Sequence, residues 1–307
     1  MLIIISLVVL VTIISTVIIV RFLVWKKAEK VAVNYLKKFN IIKDLDMYEE
    51  SRPAIYFGEK KIKRAVLLLH GFTCSTHEML TLTMGLKRNG FTFFAPMLTG
   101  FGTSSFEKLY KIKSSDWMRD AVCAYDMLAS IAEEVSIVGH STGSVLAAYV
   151  AGIRKVKHLI FIGPNFYTPE KYAKHKRLLQ NKYIGKVSAW FSPFIVKPIQ
   201  PGRITFTDTL EPIAAQNVLH YPSTTLRSIL EMWKLQDCVD VLKAKYGTLS
   251  VLYGEQDLTV DMVRFIEVLD KNHVKYDKYV FENSAHNVLE DYDKEKAVEI
   301  IISILNK

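Results

Sequence analysis

The chain opens on an uncharged apolar run. Leu2 to Val20 contains fifteen Leu, Ile or Val residues, broken only by Ser6, Thr12, Ser15 and Thr16. As a helix this run measures about 28 Å, close to the hydrocarbon thickness of a bilayer. At roughly −0.4 kcal/mol per central aliphatic residue, it favours insertion by about 6 kcal/mol before its polar residues are counted. β-branching weakens a helix in water, but lipid forces the backbone to satisfy itself internally, so a helix is predicted. Arg21 is placed to snorkel, Trp25 suits an interface, and Lys26, Lys27 and Lys30 mark the exit. A cleavable signal peptide would carry basic residues before the run and small residues after it. Trp25-Lys26-Lys27 follows instead, so an uncleaved single-pass anchor over residues 1–25 is expected. The positive-inside rule then places the remaining chain in the cytoplasm.

Beyond the anchor the pattern changes twice. Lys26 to Asn40 reads as a basic amphipathic helix with Val31, Tyr35, Leu36 and Phe39 near one face. It is expected to lie on the bilayer surface within a connector spanning 26–63. Pro53 and Gly58 break the rest of that connector, which offers one short strand near Ala54–Phe57. From Arg64 onward, short apolar runs alternate with helical periodicity. Ala65–Leu69, Phe91–Pro96, Val135–Val138, His158–Ile162, Leu249–Tyr253 and Tyr279–Phe281 are strand-like, mostly continuous rather than alternating, as in strands covered on both faces. Helices are predicted over His77–Asn89, Asp116–Ala132, Ser144–Ile153, Val260–Asn272 and Asp293–Leu305. The alternation predicts a mostly parallel sheet with helices on both sides. Residues 165–241 offer no buried-type strand and are rich in Tyr, Trp, Phe and Lys. This stretch is too long for a loop and is expected to form an inserted, largely helical cap.

Composition narrows the class. The chain has 307 residues, is 50% hydrophobic and only 23% charged, which excludes a disordered chain, a collagen-like repeat and a disulfide-stapled miniprotein. A net charge of +9 makes an anionic surface a plausible neighbour. The basic residues cluster beside the apolar run and no nucleic-acid recognition motif accompanies them, so a bilayer is the expected partner and nucleic acid is not. Cys74, Cys123 and Cys238 are scattered, with neither metal-type spacing nor a disulfide framework, which suits a reducing compartment. No metal site is expected, and no G-x-G-x-x-G follows a strand, so a dinucleotide site is not expected either.

One motif carries chemistry. Gly139-His-Ser-Thr-Gly143 is a G-x-S-x-G directly after an apolar strand and directly before a helix-compatible run. That context puts Ser141 on a tight strand-to-helix turn whose flanking glycines remove clashing Cβ atoms. The competing role for Ser141 is an ordinary helix N-cap. A serine nucleophile needs a base and the base an orienting acid. Among eight histidines, His286 alone follows a late strand on a loop able to return to the serine. His273 belongs to the opposite end of the sheet, while His140, His158 and His70 read as structural. Asp257 in Gly254-Glu-Gln-Asp257 lies past a strand's carboxyl end and is preferred over its neighbour Glu255. The order Ser141, Asp257, His286 is the one this type of elbow demands. For the oxyanion, the expected backbone donors are the N–H groups of Thr142 and of Phe72, in the turn His70-Gly-Phe-Thr.

With these residues in place, the chain resembles the α/β-hydrolase family, in its lid-bearing carboxylesterase and monoacylglycerol-lipase-like branch. Leu68-Leu-His-Gly-Phe-Thr, Pro96-Met-Leu-Thr-Gly-Phe-Gly-Thr-Ser, Gly139-His-Ser-Thr-Gly, Gly254-Glu-Gln-Asp and Ala285-His carry the likeness across residues 64–307. The resemblance implies a cofactor-free serine hydrolase with an acyl-enzyme intermediate, its cap forming a lid over the acyl pocket. Thr142 stands where relatives often carry Met, Gln or Leu. The expected activity is hydrolysis of carboxylic esters with an apolar acyl chain, such as a monoacylglycerol or lysophospholipid. A thioesterase or acyltransferase would use the same triad, and a catalytically silent, membrane-tethered binding protein would keep only the fold.

Overall fold

The computed structural model describes residues 2–58, 62–104, 106–191 and 194–307. Helix α1 (Leu2–Leu36) runs unbroken through the boundary expected at residue 25. Its apolar stretch has a mean hydropathy of 2.8 and none of it is buried, so it is long and apolar enough to cross a membrane. The last third behaves differently. Ala28, Ala32 and Leu36 recur every four residues, share one face, and are almost fully buried. The Trp25 ring meets Phe194 edge-on at 4.5 Å, the Tyr35 hydroxyl donates to the Val218 carbonyl at 2.9 Å, and Ser223 donates to the Ala28 carbonyl at 3.3 Å. The helix expected to lie on the bilayer surface is therefore seated on the protein, because two alanines let the cap approach its backbone closely.

This docking has a measurable consequence. A chain beginning at Trp25 is expected to keep the stability of the folded domain, whereas one beginning at Lys37 loses it. Re-exposing the surface under Leu36 and Tyr35 costs about 3 kcal/mol or more, read as a lower urea midpoint. Equal midpoints for the two chains would show that the contact contributes nothing.

The sheet matches the predicted alternation. Its strands are β1 (Ala54–Tyr56), β2 (Arg64–Leu69), β3 (Thr92–Ala95), β4 (Glu134–His140) and β5 (Val156–Ile162), then β8 (Tyr246–Gly254) and β9 (Asp277–Phe281) after the cap pair β6 (Phe194–Val196) and β7 (Ser223–Thr225). The spatial order is β9-β8-β5-β4-β2-β3-β1, parallel throughout except for the antiparallel edge strand β1. Successive side chains serve opposite layers, so Leu67 and Leu69 face one core and Leu68 the other. The first core is closed by α4 (Ser114–Ala129), α5 (Thr142–Ile153) and α10 (Met262–Lys271), the second by α2 (Leu80–Arg88) and α11 (Lys294–Leu305). A short helix, α3 (Phe106–Lys111), lies before α4 and was not predicted.

The cap is largely helical, with α6 (Glu170–Leu179), α7 (Lys182–Phe191), α8 (Pro212–Asn217) and α9 (Leu226–Cys238). It departs from expectation in containing the antiparallel pair β6/β7, of which Ser223, Thr224 and Thr225 are buried. Small polar residues gave that strand no hydrophobic signature. Thr225 Oγ1 accepts from the Ser228 N–H as the N-cap of α9, while Ser223 reaches the Ala28 carbonyl. The loops at the carboxyl ends of β2, β4, β5, β8 and β9 converge at one edge of the sheet, where open α/β folds gather their sites.

Candidate active site

The β4–α5 junction holds Ser141 at φ 53°, ψ −119°, a left-handed region that non-glycine residues seldom occupy. The surrounding backbone fixes it. The Ser141 N–H donates to the Ile162 carbonyl at 2.8 Å, and its carbonyl accepts from Ser144 at 3.0 Å and Asn165 at 3.2 Å. A Cβ on Gly139 would lie 2.4 Å from the Gly143 carbonyl oxygen, and one on Gly143 would lie 2.0 Å from that of Leu69. Both glycines are thus demanded by close approach. The Ser141 side chain makes no capping bond to α5, so the N-cap role does not apply.

His286 and Asp257 come together as expected. His286 Nδ1 lies 2.7 Å from Asp257 Oδ2, while Oδ1 of the same carboxylate accepts from the N–H groups of Thr259 at 2.8 Å and Val260 at 3.1 Å. Glu255 is exposed and takes no part. Gly163, at φ 49° beyond β5, sits against the pair; a Cβ there would lie 3.1 Å from His286 Nδ1. Burial alone would lower the His286 pKa, but the charge and hydrogen bond of Asp257, reinforced by Asp208 and Glu78, outweigh it and hold the imidazole above its ordinary value of 6.5. Asp208 buttresses this loop: it pairs with Arg203 at 2.5 Å and accepts from the Leu258 N–H and the Thr259 hydroxyl, both at 2.8 Å. Its place in the cap hid that role from sequence reasoning.

The two expected oxyanion donors sit at neighbouring strand ends. Phe72 follows β2 and Thr142 follows β4, whose Leu69 and Gly139 are paired in register. Gly71 is close to the elbow, since a Cβ on it would meet Ser141 Cβ at 3.1 Å. The Gly71 N–H is already taken by Glu78 Oε1, which leaves Phe72 as the next donor along the turn. His70 is structural, as read: Nε2 accepts from the Leu98 N–H at 3.1 Å and Nδ1 stands 2.9 Å from the Gly71 carbonyl. His158 likewise bonds Thr248 within the sheet at 2.7 Å, and His273 ends α10 away from this edge. The Thr142 hydroxyl accepts from Asn165, which Gln236 of α9 holds in turn, so the elbow is tied to the cap.

Behind the elbow lies a polar chamber that no sequence signal announced. His140 Nε2 stands 3.1 Å from the His286 carbonyl oxygen, and its Nδ1 lies 3.1 Å from Glu78 Oε2. His220 lies between Glu78 and Glu290, with Cys74 beside them. Burial, then the charge of Glu78, pushes the Glu290 pKa up to about 8, while burial holds His220 down to about 3.

The chain belongs to the family described as "Serine aminopeptidase, S33", which matches residues 60–293, and it has the α/β-hydrolase fold. It is similar to the thermostable monoacylglycerol lipase of Bacillus sp. (strain H-257), with 33% identity over 86 residues, 28% of this chain and 34% of that protein. It is also similar to the carboxylesterase of Bacillus subtilis (strain 168), with 32% identity over 98 residues, 32% of this chain and 39% of that protein. The matched segments therefore span little more than a third of the length of these curated relatives. Among solved structures, a metagenome-derived lipolytic enzyme shares the fold with a TM-score of 0.68 at 21% identity, covering 84% of this chain and 98% of that one.

Proposed function

We propose that the protein is a membrane-anchored serine hydrolase that cleaves carboxylic esters of apolar acyl chains through an acyl-enzyme intermediate. The observation that carries this reading is the 2.7 Å His286–Asp257 pair at the sheet edge where Ser141 sits on its strained elbow. In the reaction, Ser141 Oγ attacks the ester carbonyl as His286 Nε2 takes its proton. Asp257 fixes the tautomer and stabilises the imidazolium. The developing oxyanion is held by the N–H groups of Phe72 and Thr142, each worth about 3 kcal/mol of transition-state stabilisation. His286 then protonates the leaving alcohol as the carbon–oxygen bond breaks. Water, deprotonated by the same imidazole, attacks the acyl-enzyme and releases the acid.

The substrate class follows from where the cap stands. Arg21, at the end of the apolar run of α1, lies 4.7 Å over the Trp190 ring of α7. On α7 and just beyond β6, Tyr183, Ile184, Val187 and Ile199 expose apolar surface. This surface sits beside the segment read as leaving the bilayer, which favours a single-chain lipid ester such as a monoacylglycerol or lysophospholipid. The likeness to a monoacylglycerol lipase points the same way. The catalytic domain is read as cytoplasmic, on the side of Lys26, Lys27 and Lys30.

The test is hydrolysis by the full chain in detergent or vesicles, using p-nitrophenyl esters from acetate to palmitate beside monoacylglycerol and lysophosphatidylcholine. Activity rising with acyl length to at least the medium-chain esters, and on one of the two lipids, is expected. Hydrolysis of acyl-thioesters alone would move the reading to a thioesterase.

A further inference from the structure

We propose that Cys74, Glu78 and His220, with Glu290 beside them, form a zinc site that ties together the loops around the active site. One donor atom from each of Cys74, Glu78 and His220 lies within 4.8 Å of the others, and all three residues are buried. His220 Nε2 stands 3.7 Å from Glu78 Oε2 and 3.5 Å from Glu290 Oε2. These are too long for hydrogen bonds; among the described residues His220 Nε2 and Glu290 Oε2 have no hydrogen-bond partner, and Glu78 Oε2 meets only His140 Nδ1, at 3.1 Å. Buried donors that face one another unsatisfied are costly unless something sits between them.

The spacing says what fits. Two ligands bound at 2.0–2.2 Å to a tetrahedral metal are about 3.4 Å apart. Two groups bonded tetrahedrally to one water at about 2.8 Å would be about 4.6 Å apart. The 3.7 Å between His220 Nε2 and Glu78 Oε2 is nearer the metal spacing than the water spacing. Lys197, whose ammonium bonds the Thr73 hydroxyl, stands beside this group. Mixed sulfur, nitrogen and oxygen donors select zinc over the hard cations, which take oxygen alone.

The ligand orientation is supported from outside, as metal sites require. Glu78 Oε1 accepts the Gly71 N–H, so the oxygen facing His220 is turned inward. The ligands come from separate loops. Cys74 and Glu78 follow the oxyanion turn, and His220 lies in the cap between α8 and β7, next to Glu290, which is four residues past His286. Motif spacing in the sequence missed the site because its ligands are distributed over more than a hundred positions.

Zinc measured by mass spectrometry in the full chain, purified without chelator, is expected at about one equivalent per chain. Exchange with cobalt(II) is expected to give visible d–d bands and an ultraviolet thiolate-to-cobalt band, the latter lost in Cys74→Ala. His220→Ala should lower zinc content at least tenfold. A strong chelator should lower the melting temperature of the unmodified chain, and added zinc should restore it. A chain with no zinc that takes up no cobalt with a thiolate band overturns the proposal, even if both variants fail to fold.

Discussion

Ser141→Ala is expected to lower kcat/KM for ester hydrolysis by about 10⁴- to 10⁶-fold while leaving stability within about 0.5 kcal/mol. The size of the loss follows from the role assigned to the hydroxyl. Without Oγ there is no acyl-enzyme, and what remains is whatever the oxyanion donors and substrate binding supply to water. The neutrality in stability follows from the geometry. Ser141 makes no side-chain capping bond, and alanine meets the same backbone strain at φ 53° that serine does. His286→Ala should cost a similar factor, and the double variant little more than either alone, because the groups act as a unit. Fluorophosphonate labelling gives an independent readout, present in the unmodified chain and absent in both variants. A Ser141→Ala protein that retained labelling or a tenth of its turnover would place the nucleophile elsewhere.

Much of this arrangement is legible in the sequence because it is local. Continuous aliphatic runs announced strands buried on both faces. A serine between glycines, directly after one such run, required an elbow whatever the rest of the chain did. Asp257 and His286 were expected from their places just past late strands, on loops at the sheet edge that carries Ser141. Features built from distant partners left no such trace. Ser223-Thr-Thr225 is a buried strand without hydrophobic residues, its hydroxyls bonded partly to Ser228 of α9 and partly to the distant carbonyls of Ala28 and Leu109. Lys26–Leu36 showed an apolar face but not what covers it, because amphipathicity is the same for a lipid surface and for a protein groove. Glu78, taken alone, is one acidic residue in a helix-like stretch. Only the fold reveals that it reaches the oxyanion turn with one oxygen and His140 with the other.

Asp257→Asn is expected to reduce kcat/KM by about 10³- to 10⁴-fold and to move its acid limb to lower pH. Two opposing influences act on His286: burial, which disfavours the imidazolium, and the Asp257 carboxylate, which with Asp208 and Glu78 more than offsets it. The general base must be neutral, so in the unmodified protein the acid limb should lie above pH 6.5, the ordinary value for the group. Neutralising Asp257 leaves burial dominant, and the limb should fall below it. Stability changes in the same sense. Because the folded state holds this proton more tightly than the unfolded chain, the contribution of the group is complete below about pH 6.5 and is lost as pH rises through the raised folded value. In Asp257→Asn that pH dependence should reverse, with the group then destabilising the fold as pH drops below 6.5. A general loss of folding would lower activity without moving the limb. Glu255→Gln, a change on the exposed neighbour, should alter neither rate nor profile. If Glu255→Gln moved the limb and Asp257→Asn did not, the acid would have been assigned to the wrong carboxylate.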